Sequence, residues 1–498
     1  MRDYDFGNRL ADLRRAKGFS QYQLGVLVGV TDKAVSKWEN GTAKPRVSVI
    51  MKLAAILGVT MEELLYDSQE NSHTDGKELK NLKTELWQEA EDRMRVLFGN
   101  HPDLVVRNRF AMEKNALGYS DVIVLLKVMS QLKAFADSNH TVFTPRAMTT
   151  CSFIAWLLGA TVVNPLPAHY RCPCCRRIIF VPESDCGWDL PKKACDECGT
   201  DMIRDGHDLP FEICACGKSD PLMSMDCNLD EDLIDKAWET VLEYMSPYYC
   251  FLRGDVLLGP DGEAKIPRLF FIKDKAGKPD GMDAVPFAEE KVYNDLLESV
   301  PSLLLIPVFC GNKHTESAEG CLQPENLLSS GRMTAALNGF IDEYRKQEEE
   351  HERKTGSEAN PATKRRWLPE KGREVDSFSR FVTIVDAVHV TSSGSGLDEL
   401  AESLGLNDYT ELPLSREAVW HLIHRCAGNA GNLTGIASEI VYKLRMGKYS
   451  RRMTEDDLKL FEQLNLPPWF ADFAKNILYL FRRCHDVAIA YQLLQMQD

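Results

Sequence analysis

Fifteen cysteines are spread unevenly along this chain of 498 residues, and nine of them fall between Cys172 and Cys227. Within that cluster, Cys172-Pro-Cys-Cys175 and Cys195-Asp-Glu-Cys198 form the pattern C-x2-C-x19-C-x2-C. Each pair can wrap one side of a tetrahedral ion, and the loop between them brings the pairs together. Gly199, directly after the second pair, permits the tight turn such a knuckle needs. Four thiolates favour zinc and leave no open position for water. The spacing therefore predicts a structural zinc site on Cys172, Cys175, Cys195 and Cys198, in a knuckle at 168–202. Cys174 and Cys186 are spare thiols that could substitute, and Cys214 and Cys216 are weaker candidates. The competing reading is four reduced cysteines without metal.

Elsewhere the composition is that of a globular protein. A hydrophobic fraction of 44% and a charged fraction of 27% exclude a disordered, collagen-like or wholly membrane-embedded chain, and the length suggests about three domains. The best apolar run, Cys151 to Val163, stops at 13 residues, short of the roughly 20 a bilayer helix needs. The N-terminus Met1-Arg2-Asp3-Tyr4-Asp5 has no apolar segment behind it, so a signal peptide is not expected. A cytoplasmic location with no membrane partner follows, and a reducing compartment disfavours structural disulfides. The net charge is -15, yet residues 1–66 carry ten Lys/Arg against seven Asp/Glu, a balance of +3, leaving 49 against 67, or -18, for the rest. An acidic body repels a phosphate backbone and a small basic head does not. If double-stranded DNA is a partner, the head should lead.

From Phe6 to Tyr66 the chain reads as five short helices. Ser20 precedes Gln21-Tyr22-Gln23-Leu24, a cap followed three residues later by a glutamine that can close a capping box. Thr31 does the same for Asp32-Lys33-Ala34-Val35-Ser36-Lys37-Trp38. Between these helices Gly29 can adopt the positive φ of a three-residue turn. Ile50, Leu53, Ala54 and Leu57 recur at helical spacing and give a fourth helix an apolar stripe; Thr60 caps a fifth that ends in Leu64 and Leu65. The segments Leu10 to Lys17, Ser20 to Gly29 and Val30 to Gly41 resemble the Xre/Cro family of helix-turn-helix repressors over about 60 residues. Gly25 departs from the alanine usual in that family. The resemblance implies that the second helix of the motif enters the major groove, as a monomer or across a homodimer. Thr31, Asp32, Lys33, Ser36 and Lys37 would then face DNA, with Gln21 and the amides capped by Ser20 on phosphate, while Val35 and Trp38 are core.

Residues 67–88 read as a linker whose first part is a flexible polar tether, and 344–366 as a second polar linker. Around the cysteines stand Val163-Asn-Pro-Leu-Pro-Ala-His-Tyr170, Asp189-Leu-Pro and Asp205-Gly-His-Asp-Leu-Pro-Phe-Glu212. This ordered string resembles the palm of PolC-type DNA polymerase III alpha subunits, and Thr410 to Tyr491 resembles the helical fingers side of that family. The resemblance implies an all-α helix-turn-helix head at 1–66, an α+β palm-like region with a zinc-knuckle insertion at 89–343, and an all-α fingers-like region at 367–498. Two-metal phosphoryl transfer needs clustered carboxylates. Where the family carries Asp-x-Asp on a strand, this chain reads Ser224-Met225-Asp226, followed by Asn228, and no third carboxylate is recognisable downstream. Where the family has a Gly- and Ser-rich phosphate loop around an arginine, Thr144-Pro-Arg146-Ala-Met-Thr-Thr-Cys-Ser152 keeps Arg146 without the glycines. Asp226 and Arg146 are therefore read as vestigial and the polymerase core as inactive. A metal shared by Asp226 and Asp230 is disfavoured, because four residues along a strand separate them by roughly 13 Å. His207 and Asp208 share the vestigial reading.

In the C-terminal region Lys443, Arg445, Lys448, Arg451 and Arg452 gather on an otherwise acidic body, either as a second nucleic-acid contact, which the family resemblance implies, or as a solvated face. Gln463-Leu-Asn-Leu466 superficially resembles a sliding-clamp peptide, but its leucines fit core packing better. Three functions remain open from sequence: a DNA-binding regulator with a dead polymerase-like body, a reduced but active polymerase, and a polymerase mimic that engages replication proteins.

Overall fold

The computed structural model describes residues 4–28, 30–43, 45, 47–57, 64, 74–118, 121–146, 148–215, 224–258, 264–272, 284–285, 302–308, 328–355, 368–369, 371–393, 396–428 and 433–495. The head contains α1 (Tyr4–Ala16), α2 (Gln21–Val28), α3 (Asp32–Glu39) and α4 (Val47–Leu57). Its core is its own: Phe6, Leu10, Leu24, Val28, Val35, Trp38, Ile50, Leu53, Leu57 and Leu64 bury against one another. Gly29 and Thr60, and the side chain of Ala54, lie outside the described residues.

The body is built on a six-stranded mixed sheet and a small three-stranded one. The strands are β1 (Phe143–Pro145), β2 (His169–Arg171), β3 (Ile178–Phe180), β4 (Ile203–Asp205), β5 (Ser224–Asp230), β6 (Cys250–Leu258), β7 (Ala264–Ile272), β8 (Ala284–Val285) and β9 (Ser302–Val308). The large sheet runs in the order β1-β5-β9-β7-β6-β8, with β5 and β9 parallel and β1 antiparallel to β5. Alternation along β5 buries Met225, Cys227 and Leu229 and leaves Ser224, Asp226, Asn228 and Asp230 on the other, half-exposed face. Pro145 sits on the edge strand β1, where a missing N–H is tolerated. The small sheet, ordered β3-β2-β4, carries the cysteine knuckles. A two-stranded ribbon of β10 (Thr391–Ser392) and β11 (Ile477–Tyr479) lies in the helical C-terminal region.

Two stretches expected as linkers are largely helical. The helix Thr74–Phe98 takes in 74–88, because Leu79, Leu86, Trp87 and Ala90 fall on one buried face of an otherwise polar segment. The helix Ser330–Thr355 takes in 344–355, a run of Glu, Lys, Arg and Gln without Gly or Pro until Gly356. Nor do the palm-like and fingers-like regions form separate cores. One continuous hydrophobic cluster extends from Leu79 to Leu494. Asp189, on a 3-10 turn beside the knuckles, accepts from the amides of Phe378 and Ser379 at 2.7 and 2.8 Å and so caps the helix Phe378–His389. The boundary at 344–366 divides the sequence and not the packing.

The centre of the body is organised by a buried carboxylate. Glu113, fully buried, accepts from Arg109 Nε (2.5 Å), Ser152 Oγ (2.7 Å) and the amides of Phe153 (2.8 Å) and Ile154 (3.0 Å). It thus satisfies the first donors of the helix Phe153–Leu157, whose dipole favours a negative charge there. Arg109 also donates to the Cys151 carbonyl at 2.6 Å. Substituting Glu113→Gln places an NH2 among these donors and leaves the buried guanidinium without its counter-charge. We expect a loss of about 3–5 kcal/mol, read as a fall in the urea midpoint at unchanged m-value.

Candidate functional site

In the head, the sequence forms the expected motif with both caps in place. The Ser20 amide donates to Gln23 Oε1 at 2.8 Å and the Gln23 amide to Ser20 Oγ at 3.1 Å, which closes the capping box. Thr31 Oγ1 accepts from the Ala34 amide at 3.3 Å at the start of α3. A Cβ on Gly25 would lie 2.9 Å from the Val30 carbonyl oxygen, so α2 and the start of α3 approach too closely for the usual alanine without a local shift. Val35 and Trp38 are buried, as expected, and Thr31, Asp32, Lys33 and Lys37 are exposed. Lys33 and Lys37, four apart, share a face of α3. Ser36 accepts a 3.3 Å hydrogen bond from Asn40 Nδ2.

Gln21, expected on phosphate, is also tied into the head. Its side-chain amide donates to Glu39 at 2.8 Å, and Glu39 also takes a fork from Arg14 at 2.6 and 2.9 Å. One of the two amide N–H groups of Gln21 is thereby used, and the second is left over as a donor. Burial pushes the Glu39 carboxyl up, but the hydrogen bonds from Arg14 and Gln21 outweigh it and hold it below its ordinary range. Arg14 completes the tie by donating to the Phe19 carbonyl at 2.8 Å. The three helices of the motif are thus locked by a charged network with partners 25 and 18 residues apart in sequence.

The four knuckle cysteines converge. Cys172 and Cys198 sulfurs lie 3.4 Å apart, Cys175 and Cys195 3.5 Å, and all four within 4.8 Å of one another. These distances are close to the roughly 3.8 Å edge of a tetrahedron of sulfurs about one metal. The two turns match: the Arg176 amide donates to the Cys172 carbonyl and the Gly199 amide to the Cys195 carbonyl, and Arg176 and Gly199 both take positive φ, 64° and 71°. Hydrogen bonds from the Thr200 hydroxyl and amide pull the Cys198 thiol down to about 6. An amide hydrogen bond from Arg177 lowers the Cys175 thiol, but burial and the neighbouring thiols overcome it and push the group up to about 12. Without a cation such a set cannot carry four negative charges, so this donor chemistry suits a metal ion. Among the described residues no other three His, Cys, Asp or Glu groups converge in this way. Cys174 is exposed and outside the set. Cys186 is buried 3.4 Å from His207 Nδ1 and so does not substitute. The Cys214 side chain and Cys216 lie outside the described residues.

The palm face brings Arg146, Ser224, Asp226 and Asn228 together, as the order of motifs implied. The Arg146 amide donates to the Asp226 carbonyl at 2.9 Å, and its guanidinium lies 3.5 Å from Asn228 Oδ1. A residue not singled out from sequence occupies the rest of the site. Arg268 on β7, in register with Leu304 of β9 and through it with Asp226 of β5, is 6% exposed. Its Nη2 lies 3.0 Å from Asp226 Oδ1, off the hydrogen-bonding direction, so the carboxylate has a cation but no hydrogen bond at that oxygen. Its Nη1 donates to Ser224 Oγ and, at 3.2 Å, to Ser302 Oγ. Asp230 is committed elsewhere, to Thr141 Oγ1 at 2.8 Å and to the Asp232 amide at 3.2 Å. His207 packs between Trp188 and Phe378, where burial lowers its pKa to about 4 and keeps it neutral. Asp208, at positive φ, meets His421 through its carbonyl. Leu464 and Leu466 are buried, which makes the clamp-like segment part of the core.

A family model described as helix-turn-helix matches residues 10–64. The body is similar to proteins named DNA polymerase III PolC-type. That of Thermotoga petrophila is 24% identical over 448 residues, covering 79% of this chain, and that of Bacillus subtilis 25% identical over 485 residues, covering 84%. A relative from Pediococcus pentosaceus is 35% identical over 143 residues, 28% of this chain. The chain is a fusion of an Xre-type helix-turn-helix head and a PolC-like body. It spans about a third of the length of the first two relatives. Among the described residues no helix is long and apolar enough to cross a membrane.

Proposed function

We propose that this protein is a sequence-specific DNA-binding regulator whose PolC-like body is catalytically inactive. The observation that carries the first half is the exposed face of α3: Thr31, Asp32, Lys33 and Lys37 project from a capped helix whose opposite face, Val35 and Trp38, is core. A helix so presented fits the major groove, and the body's negative charge leaves the head as the natural docking element. Two heads across an inverted repeat would place half-sites about one helical turn apart. In a gel-shift titration at fixed salt, Lys33→Ala is expected to cost roughly 1–3 kcal/mol on the preferred duplex and much less on random DNA. Lys37→Ala, as a phosphate contact, is expected to weaken all sequences alike and lower the salt slope by about one. Unchanged specific binding in both variants would remove this docking.

Inactivity rests on Arg268. A polymerase palm holds two divalent cations on its carboxylates. Here one carboxylate, Asp226, faces a buried guanidinium that also takes Ser224 and Ser302, so the positive charge is already supplied by the chain. A divalent ion at Asp226 would meet this fixed cation and only one charged oxygen donor group. Primer extension with magnesium or manganese and all four nucleotides is therefore expected to stay at background. Template-dependent extension that Asp226→Ala abolishes would refute the proposal and establish an active enzyme.

The ion we assign to Cys172, Cys175, Cys195 and Cys198 is zinc, in a closed structural role: four thiolates at tetrahedral separations leave no site for water. Elemental analysis of protein purified without added metal should find about one zinc per chain. Because binding requires all four thiols deprotonated, occupancy should fall as the pH is lowered. Cys195→Ser should both lose the ion and lower the melting temperature of the body. A fully folded preparation free of metal would overturn the assignment.

A further inference from the structure

Two acidic side chains meet in the interior of the helical C-terminal region. Asp386, in the helix Phe378–His389, is 1% exposed, and Asp486, in the first turn of the helix Arg483–Gln495, is 0% exposed. Arg483 Nη1 donates to Asp386 Oδ2 at 2.6 Å, and His389 Nδ1 lies 2.7 Å from Asp486 Oδ1. The remaining oxygens, Asp386 Oδ1 and Asp486 Oδ2, are buried and accept from no amide, hydroxyl or cation. The two side chains are hydrogen-bonded to each other instead. An ionised carboxylate only accepts, so a bond between two of them requires a proton on one.

Every element packed around the pair adds to its charge balance. The helix Arg483–Gln495 supplies Arg483, and the helix Phe378–His389 supplies His389, whose Nε2 lies 2.9 Å from the hydroxyl of Tyr344 on the helix Ser330–Thr355. A neutral ring fits both of its contacts, with Nδ1–H donating to Asp486 and Nε2 accepting from Tyr344. Glu417, buried on the helix Arg416–Ala427, accepts from the Arg483 and Cys484 amides and adds negative charge, while Arg146 adds positive charge on the side of Asp486. Burial pushes the Asp386 carboxyl well above its ordinary range; Arg483 pulls it down, and the charge of Asp486 raises it again. Burial raises Asp486 likewise, against the hydrogen bond from Asp386. The two helices that the pair joins are anchored on opposite sides: Asp189 caps the first, and His485 of the second meets the Pro145 carbonyl of β1.

We propose that Asp386 and Asp486 hold one proton in common and act as a pH-sensitive latch between the helices Phe378–His389 and Arg483–Gln495, closed while the proton is held and loosened when it passes to solvent. With the proton in place, one negative charge faces Arg483; without it, two carboxylates in the core share that guanidinium and repel each other. An unfolded aspartate loses its proton near pH 4. Above that point, and up to the raised value of the pair, the folded chain holds a proton that the unfolded chain has lost, so the latch contributes less stability as the pH rises. Asp386→Asn is the informative variant: its oxygen can accept from Arg483 and its NH2 can donate to Asp486, with no proton to lose. The infrared spectrum of the full chain at neutral pH is expected to show the carbonyl stretch of a protonated carboxyl, and the variant to lack it. In urea titrations from about pH 5 to about pH 8, the unfolding constant of the natural chain should rise relative to that of the variant, by up to about tenfold per pH unit. Asp486→Asn, the reciprocal isostere, should behave alike and serves if the first variant does not fold. Absence of the band, a band that the variants retain, or a stability gap that does not change with pH would overturn the proposal.

Discussion

The body depends on a buried carboxylate whose hydrogen-bond donors all belong to the chain. Glu113 is fully buried, and its four hydrogen bonds come from three places: its own helix, the Ser152 cap and the first two amides of Phe153–Leu157. An unpaired carboxylate there would be prohibitive, so the donors must assemble before the region can close. Once assembled, they fix the chain between β1 and the helix Phe153–Leu157, and with it Arg146 beside β5. The palm face is thereby positioned by a residue that has no part in it.

What the palm face then presents is an inversion of the usual logic. Carboxylates in such a sheet ordinarily repel one another until cations arrive. In this chain one of the positions is a serine and the charge opposite Asp226 is carried by Arg268, a part of the chain itself. On the proposed reading, an arginine in that place takes over the position of an exchangeable cation.

Much of this was legible in the primary structure, and the failures share a cause. Caps, periodic leucines and paired cysteines are local patterns, and Ser20 with Gln23, Thr31 with Ala34, and the four sulfurs come together as their spacing implied. Arg268 was not legible, because its partner is chosen by the register of β5, β9 and β7, which nothing in residues 240–340 announces. The same holds for the tie of Gln21 to Glu39 across the head. The two linkers were misread for another reason: polarity reports exposure to water, not the state of the backbone, and a helix with one narrow apolar face or a run of Glu and Lys is polar and ordered at once.

The capping of Phe378–His389 by Asp189 has a kinetic corollary. That contact joins residues 189 positions apart, and His421 reaches the Asp208 carbonyl across 213. Closing such loops is slow relative to forming local helices, and the body's single core requires both sides. The head, whose contacts are short in sequence and whose core is separate, has no such wait. During synthesis it would be the first part able to hold a fold, and a nascent chain could present α3 while the body behind it is still searching for its partners.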